Sequence, residues 1–262
     1  MIRIEDFDTG FKIGAKTIGK IKKMSGILTN QLNKVPIFFV NEQTMDELCH
    51  SKCLDRGSVE DFLLDYRRSL NTREREFSKI NQIRDIMKKL DNSFIECKCA
   101  VGCYIPEPDL VCNIPHVLIC PQRLKSKNRI QQEDLLIEVI LHELTHAFFS
   151  SAENTMDVSK HIIEESLCEA YSFYKFENPE NIFDFVTNPN MPPEYTSFAF
   201  WIEMSRNLPL IMVMNHWREK NYKSIVYSVF SYSRLLYHDL LYEGLSFDES
   251  LAEVAFLLLL FS

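Results

Sequence analysis

Two histidines and a glutamate occur in the pattern His142-Glu143-Leu144-Thr145-His146. Residues four apart lie on the same face of a helix, so both imidazoles can reach one ion at the roughly 2.0–2.1 Å typical of zinc–nitrogen bonds. Glu143 is offset around the helix, where its carboxylate can contact the catalytic water without ligating the metal. The spacing therefore predicts a site for one Zn²⁺ ion, with Glu143 as general base.

The residues around this motif favour a metal over coincidence. From Leu135 to Phe149 the chain is apolar on almost every side, which predicts a helix buried in the centre of a domain. Two histidines and a glutamate in such a helix carry a large desolvation cost unless they have a partner, and core polar residues satisfied by protein groups are the alternative. We predict a helix from Glu133, with Glu133 and Asp134 near its start, where acidic groups suit the helix dipole.

A catalytic zinc has three protein ligands and one open position, so a third ligand is needed. A second helix is predicted from Ser159 to Phe176, and it contains Glu164, Glu165 and Glu169. Glu165 and Glu169 are four apart and share a face, so one can ligate while the other orients a histidine. We predict Glu165 as the ligand. Glu164 and Glu169 remain alternatives, and a solvated acidic face is the alternative for the whole cluster.

The two helices together resemble the gluzincins, metallopeptidases with two histidines from a His-Glu-x-x-His motif and a glutamate from the next helix. The motif looks like that of the thermolysin-like branch, in which a ligand glutamate follows about twenty residues later and an acidic residue four positions after it. The resemblance covers roughly residues 115 to 175. It implies His142, His146 and Glu165 as ligands, Glu143 as base and Glu169 as the hydrogen-bond partner of His142.

Two segments before the motif predict strands. Val35 to Val40 looks like a short buried strand, and His116 to Cys120 is flanked by Pro115 and Pro121. Proline cannot donate to a ladder, so the second segment is predicted to be an edge strand. The gluzincin resemblance implies that an edge strand before the motif helix lines the cleft and pairs with extended substrate. His116 to Cys120 is the segment that we expect in this role.

The expected fold class is α+β and mainly helical. It combines a zincin-like core, with a small sheet, an edge strand and a buried motif helix, and a helical C-terminal lobe. Helices are predicted from about Ser58 to Leu90 and through most of Thr196 to Ser262, with a proline-rich break before the latter. We expect a catalytic core over 1–176 and a C-terminal lobe over 177–262 that closes the cleft.

Composition narrows the possible partners. The 262 residues carry a formal net charge of −8, which argues against nucleic acid as a partner. The apolar end from Ala255 to Phe261 is too short to span a membrane, and the first residues do not look like a secretory signal, so we expect a cytoplasmic protein without a membrane partner. Five of the eight cysteines lie between Cys97 and Cys120 without paired Cys-x-x-Cys spacing, and we expect these five to be mostly buried, reduced thiols, with a disulfide or a second metal as alternatives.

These observations predict a zinc peptidase that acts on a peptide or protein substrate. The alternative is a catalytically silent zinc-binding protein that acts as a binding or regulatory module, although the presence of Glu143 argues against it. Hydrolysis also needs a donor for the oxyanion. His161, Tyr171, His216 and His238 are possible donors, but a structural role is favoured for each of them, and the sequence does not choose among them. Oligomeric state and substrate preference are not determined by the sequence.

Overall fold

The computed structural model describes residues 2–29, 35–50, 52–54, 94–96, 100–124, 129–149, 164–172, 209–221 and 224. In chain order, the elements are β1 (Arg3–Asp6), α1 (Ala15–Met24), α2 (Gly26–Thr29), β2 (Pro36–Phe39), α3 (Glu42–Leu48), β3 (Lys52–Leu54), β4 (Phe94–Glu96), β5 (Gly102–Ile105), β6 (His116–Ile119), a 3₁₀ turn (Pro121–Arg123), α4 (Arg129–Phe149), α5 (164–172) and α6 (Leu210–Arg218).

The described residues include a four-stranded sheet with the order β1-β2-β6-β5. The first three strands are parallel, and β5 runs antiparallel to β6. The predicted buried strand is confirmed as β2, which is buried along its whole length. Strands β3 and β4 form a separate two-stranded sheet.

Side-chain alternation gives the sheet two different faces. Phe38, Leu118 and Cys103 align across three strands and pack in one cluster with Met45 of α3. Helix α4 packs against β5 and β6. Since Cys103 and Ile105 belong to the α3 side, the alternate residues of β5 face α4.

Helix α4 contains the histidine motif and ends at Phe149, as predicted. Its residues from Ile140 to Thr145 are all buried, which confirms the expectation of a central helix. It begins at Arg129, so Glu133 and Asp134 lie beyond the first turn and do not act as dipole-compensating residues there. Instead, Glu133 accepts a hydrogen bond from Thr17 at 3.0 Å and Asp134 pairs with Lys20 at 3.5 Å. These acids therefore attach α1 to α4.

The prediction that His116 to Cys120 is an edge strand is wrong. Strand β6 pairs with β2 on one side and β5 on the other, and all four of its residues are buried. The flanking prolines, Pro115 and Pro121, lie outside the strand and remove no donor from its ladder. The strand at this end of the sheet is β5, residues Gly102–Ile105.

Of the five cysteines from Cys97 to Cys120, the three with described side chains, Cys103, Cys112 and Cys120, agree with the expectation of reduced, mostly buried thiols. Cys49 and Cys168 are free thiols as well, and Cys168 is buried. The side chains of the other three cysteines lie outside the described residues.

The fold is mixed α and β, with more helix than strand and one small sheet. Two compact units divide the chain, one of Met1–Lys52, Glu96–Asn154 and Leu167–Asp184, the other of Cys53–Ile95, Thr155–Ser166 and Phe185–Ser262. The predicted helices from Ser58 to Leu90 lie outside the described residues, as does most of the predicted C-terminal lobe. The boundary between 176 and 177 therefore stays a prediction. None of the described helices has both the length and the apolarity that a membrane span requires.

Candidate metal site

The two motif histidines are neighbours on α4, and their ring nitrogens converge. The Nε2 atoms of His142 and His146 are 3.1 Å apart. Two nitrogens bound to one tetrahedral zinc lie about 3.3 Å apart, given zinc–nitrogen bonds of roughly 2.0–2.1 Å. The separation in the structure is thus close to the separation that a shared ion requires.

Glu169 of α5 determines which nitrogen of His142 carries the proton. Its Oε2 lies 2.6 Å from His142 Nδ1, and both side chains are largely buried. Because a carboxylate accepts and does not donate, Nδ1–H is the donor and the lone pair of a neutral ring is left at Nε2. This is the contact that the gluzincin resemblance implies for Glu169, and it directs the His142 lone pair towards His146.

The thiol of Cys168 completes a group of three possible ligands. One ligand atom from each of His142, His146 and Cys168 lies within 4.8 Å of the others. Cys168 is fully buried in α5, next to Glu169 in sequence. Sequence analysis missed this residue because it searched the second helix for carboxylates. The signal was present, since Cys168 is three residues after Glu165 and a thiolate is a common zinc ligand.

Glu165 and Glu164 also lie in the described part of α5. Glu165 is half-buried, and it does not belong to the group of His142, His146 and Cys168 that is present among the described residues. Its role as the third ligand stays a prediction. Glu164, an alternative ligand, accepts a hydrogen bond from the indole of Trp217 at 3.3 Å.

The side chain of Glu143 is buried where α4 packs against β5. A Cβ atom at Gly102 would lie 2.7 Å from the Cγ and from Oε1 of Glu143, and equally close to Val139. Real Cβ atoms essentially never come this close, so only glycine permits β5 to approach the helix here. Gly102 therefore sets the space available to the Glu143 carboxylate, and the sequence alone did not single it out.

A second acidic side chain lies in this part of α4. Burial, together with the charges of Glu169 and Asp134, raises the pKa of Glu138 to about 7. Glu138 is one helical turn before His142. The carboxyl group is therefore half-protonated near neutral pH, which limits the negative charge close to Glu169.

Tyr104 of β5 and Tyr171 of α5 have different environments. Burial raises the pKa of both phenols, and His146 partly offsets this effect at Tyr104. The Tyr171 hydroxyl donates to the backbone oxygen of Met24 at 3.1 Å, so this predicted oxyanion donor has a structural partner. Of the other predicted donors, His216 belongs to the second unit, and His161 and His238 lie outside the described residues.

The donor set suits a borderline metal ion. Two imidazoles and a thiol are ligands that zinc accepts in proteins, whereas calcium and magnesium select oxygen ligands. The described group thus fits a transition metal or zinc. No protein-family model, curated protein or solved structure matches the chain.

Proposed function

We propose that the chain is a zinc-dependent peptidase that hydrolyses peptide bonds, with Glu143 as general base. The observation that carries the proposal is the convergence of the His142 and His146 Nε2 atoms to 3.1 Å on a buried helix that also holds Glu143. Two neighbouring imidazoles, one of them hydrogen-bonded to a carboxylate, are the arrangement of a metal ligand pair.

The number of ligands supports catalysis rather than a purely structural site. Structural zinc sites have four protein ligands, whereas catalytic sites have three and an open position. Among the described residues the group contains three members, His142, His146 and Cys168. We propose Cys168 as the third ligand. The gluzincin resemblance implies Glu165 in place of Cys168.

The surrounding elements support a zincin-like core. In the described sheet, the antiparallel end strand β5 lies against the motif helix, and its residue Gly102 adjoins Glu143. The outward backbone groups of an end strand can pair with an extended peptide, which is a common mode of peptide recognition. An extended peptide laid along β5 would pass beside Glu143. This position favours a peptide or protein as the substrate.

The bound ion and the side chains of the protein would have separate roles in peptide hydrolysis. When bound, zinc supplies a Lewis acid that polarises the scissile carbonyl and activates water near neutral pH. Glu143 takes the proton of the attacking water and passes it to the leaving amine. Glu169 holds His142 in one tautomer throughout, and the burial of the site strengthens these electrostatic interactions.

The test compares the parent protein with Glu143→Gln. Both proteins are loaded with zinc, their metal content is measured, and cleavage of a diverse peptide mixture is followed by mass spectrometry. We expect one zinc per chain in both and at least a hundredfold slower cleavage in Glu143→Gln, since general bases contribute about 10²–10⁴ in rate.

The matched control is Glu47→Gln on α3, where the same chemical change affects an exposed side chain. It should retain the parent rate. Cleavage at the parent rate in Glu143→Gln would remove Glu143 from the mechanism. A parent protein that binds one zinc and cleaves no peptide would instead support the alternative, a catalytically silent zinc-binding module.

A further inference from the structure

We propose that Tyr104 is a catalytic residue whose hydroxyl donates a hydrogen bond to the oxyanion that forms at the substrate carbonyl. This inference rests on the proposed peptidase function and extends it. It places an oxyanion donor on β5, which precedes the histidine motif, whereas all the candidates from the sequence follow the motif.

The position of Tyr104 in β5 places its side chain on the face that contains the site. Cys103 and Ile105 pack in the cluster on the α3 side of the sheet. Gly102 faces the opposite side, where it adjoins Glu143. Because side chains alternate along a strand, Tyr104 shares the face of Gly102. The phenol therefore extends from the strand that adjoins the general base.

Tyr104 lies within electrostatic range of His146, one of the proposed metal ligands. A positive charge on His146 lowers the pKa of the Tyr104 phenol. Burial outweighs this effect and raises the pKa of Tyr104 above its ordinary value. A tyrosine hydroxyl, with an ordinary pKa of about 10, carries its proton at neutral pH, and only a protonated hydroxyl can donate to an oxyanion.

The hydroxyl of Tyr104 has no hydrogen-bond partner among the described residues, and its side chain is partly exposed. It differs in this respect from the hydroxyl of the buried Tyr171, which donates to Met24. A partly exposed donor near His146 is accessible to a group that arrives with the substrate. The oxyanion is the part of the reacting peptide that needs such a donor.

The kinetic test uses Tyr104→Phe, which removes only the hydroxyl. We expect kcat to fall about a hundredfold and KM to change less than about twofold, because loss of one oxyanion donor costs about 10²–10³ in kcat. Zinc content should match the parent. The control is Tyr171→Phe, which loses a buried hydroxyl that bonds to Met24 and should retain the parent kcat.

A second readout does not depend on peptide cleavage. The cobalt(II)-substituted proteins are titrated with inorganic phosphate, a tetrahedral oxyanion, and binding is followed by the visible absorbance of the metal. We expect phosphate to bind about tenfold more weakly to Tyr104→Phe than to the parent, which corresponds to about 1.4 kcal/mol, the net contribution of one hydrogen bond. Tyr171→Phe should bind phosphate like the parent.

The outcomes separate this inference from the proposed function. A parent protein without peptidase activity contradicts the proposed function, while the phosphate titration still decides whether Tyr104 serves an anion at the metal. Equal phosphate affinity in Tyr104→Phe and the parent, or no binding by either, overturns the inference. So does a rise in KM without a fall in kcat, since that result places the hydroxyl in substrate binding.

Discussion

Each nitrogen of the His142 imidazole has a close neighbour. Its Nδ1 donates to Glu169 at 2.6 Å, and its Nε2 faces His146 at 3.1 Å. The carboxylate makes the ring a stronger electron donor and prevents it from rotating, so less entropy is lost when a metal binds. The helical spacing of the two histidines explains their proximity, but only the packing of α5 on α4 explains the orientation of the ring.

The contribution of this hydrogen bond can be measured. Glu169→Ala should weaken zinc binding about 10–100-fold, because ligand-orienting partners typically contribute this much. Competition with a chelator of known affinity gives the value. Glu164→Ala is the control, since that carboxylate bonds to Trp217, and it should bind zinc like the parent. Equal affinities in Glu169→Ala and the parent would show that the bond does not prepare the ligand.

Two variants on α5, Cys168→Ala and Glu165→Gln, distinguish the two candidates for the third ligand. Cys168→Ala should lower zinc affinity at least about a hundredfold, because a two-histidine site lacks the three protein ligands of a catalytic zinc centre. Cys120→Ala removes a buried thiol that packs in the α3-side cluster and should retain parent affinity. If Glu165→Gln loses zinc while Cys168→Ala keeps it, the ligand is the one that the family resemblance implies.

At the scale of elements, the contact between β5 and α4 defines the site. The strand reaches the helix at Gly102, and the next residue on the same face is Tyr104. Prolines at both ends of β6 suggested an edge strand, yet the strand that actually ends the described sheet is β5. Strand order depends on pairing between distant segments, which no local pattern records.

Gly102→Ala tests this contact. The added methyl group would meet Glu143 and Val139 at 2.7 Å, so we expect a loss of about 1–3 kcal/mol in the free energy of unfolding, typical of overpacking. Urea denaturation followed by circular dichroism provides the measurement.

The matched substitution, Gly19→Ala, lies on the exposed side of α1 with nothing within 4 Å of the new methyl group. It should raise the free energy of unfolding by up to about 1 kcal/mol, because alanine favours helix more than glycine does. A stabilising effect of Gly102→Ala would mean that β5 can move away from α4 at little cost.

At the scale of the whole molecule, Glu138 links folding to pH. Burial and two nearby carboxylates raise its pKa from 4.5 to about 7. The folded protein therefore binds a proton that the unfolded chain has released, so stability is highest below pH 4.5 for this group and falls as pH rises to about 7. At one pKa unit per 1.36 kcal/mol, the loss is roughly 3 kcal/mol.

Glu138→Gln should remove this dependence. In metal-free protein, the free energy of unfolding of the parent should fall between pH 5 and 8, while that of Glu138→Gln should fall less and exceed the parent value at pH 8. Urea denaturation at several pH values measures both curves. Glu47→Gln serves again as the exposed control and should follow the parent. Parallel curves for the parent and Glu138→Gln would show that the carboxyl group is not buried as described.

The sequence by itself determined the features that depend on residues close to one another along the chain. Helical periodicity placed His142 and His146 on one face, and continuous apolarity placed α4 in the core, because both properties arise within a few turns of one helix. Only the tertiary structure placed Cys168 beside the histidines and Gly102 beside Glu143, and made β5 the end strand of the described sheet. These features depend on how separate elements pack, and the free energy of packing is set by contacts between residues far apart in sequence.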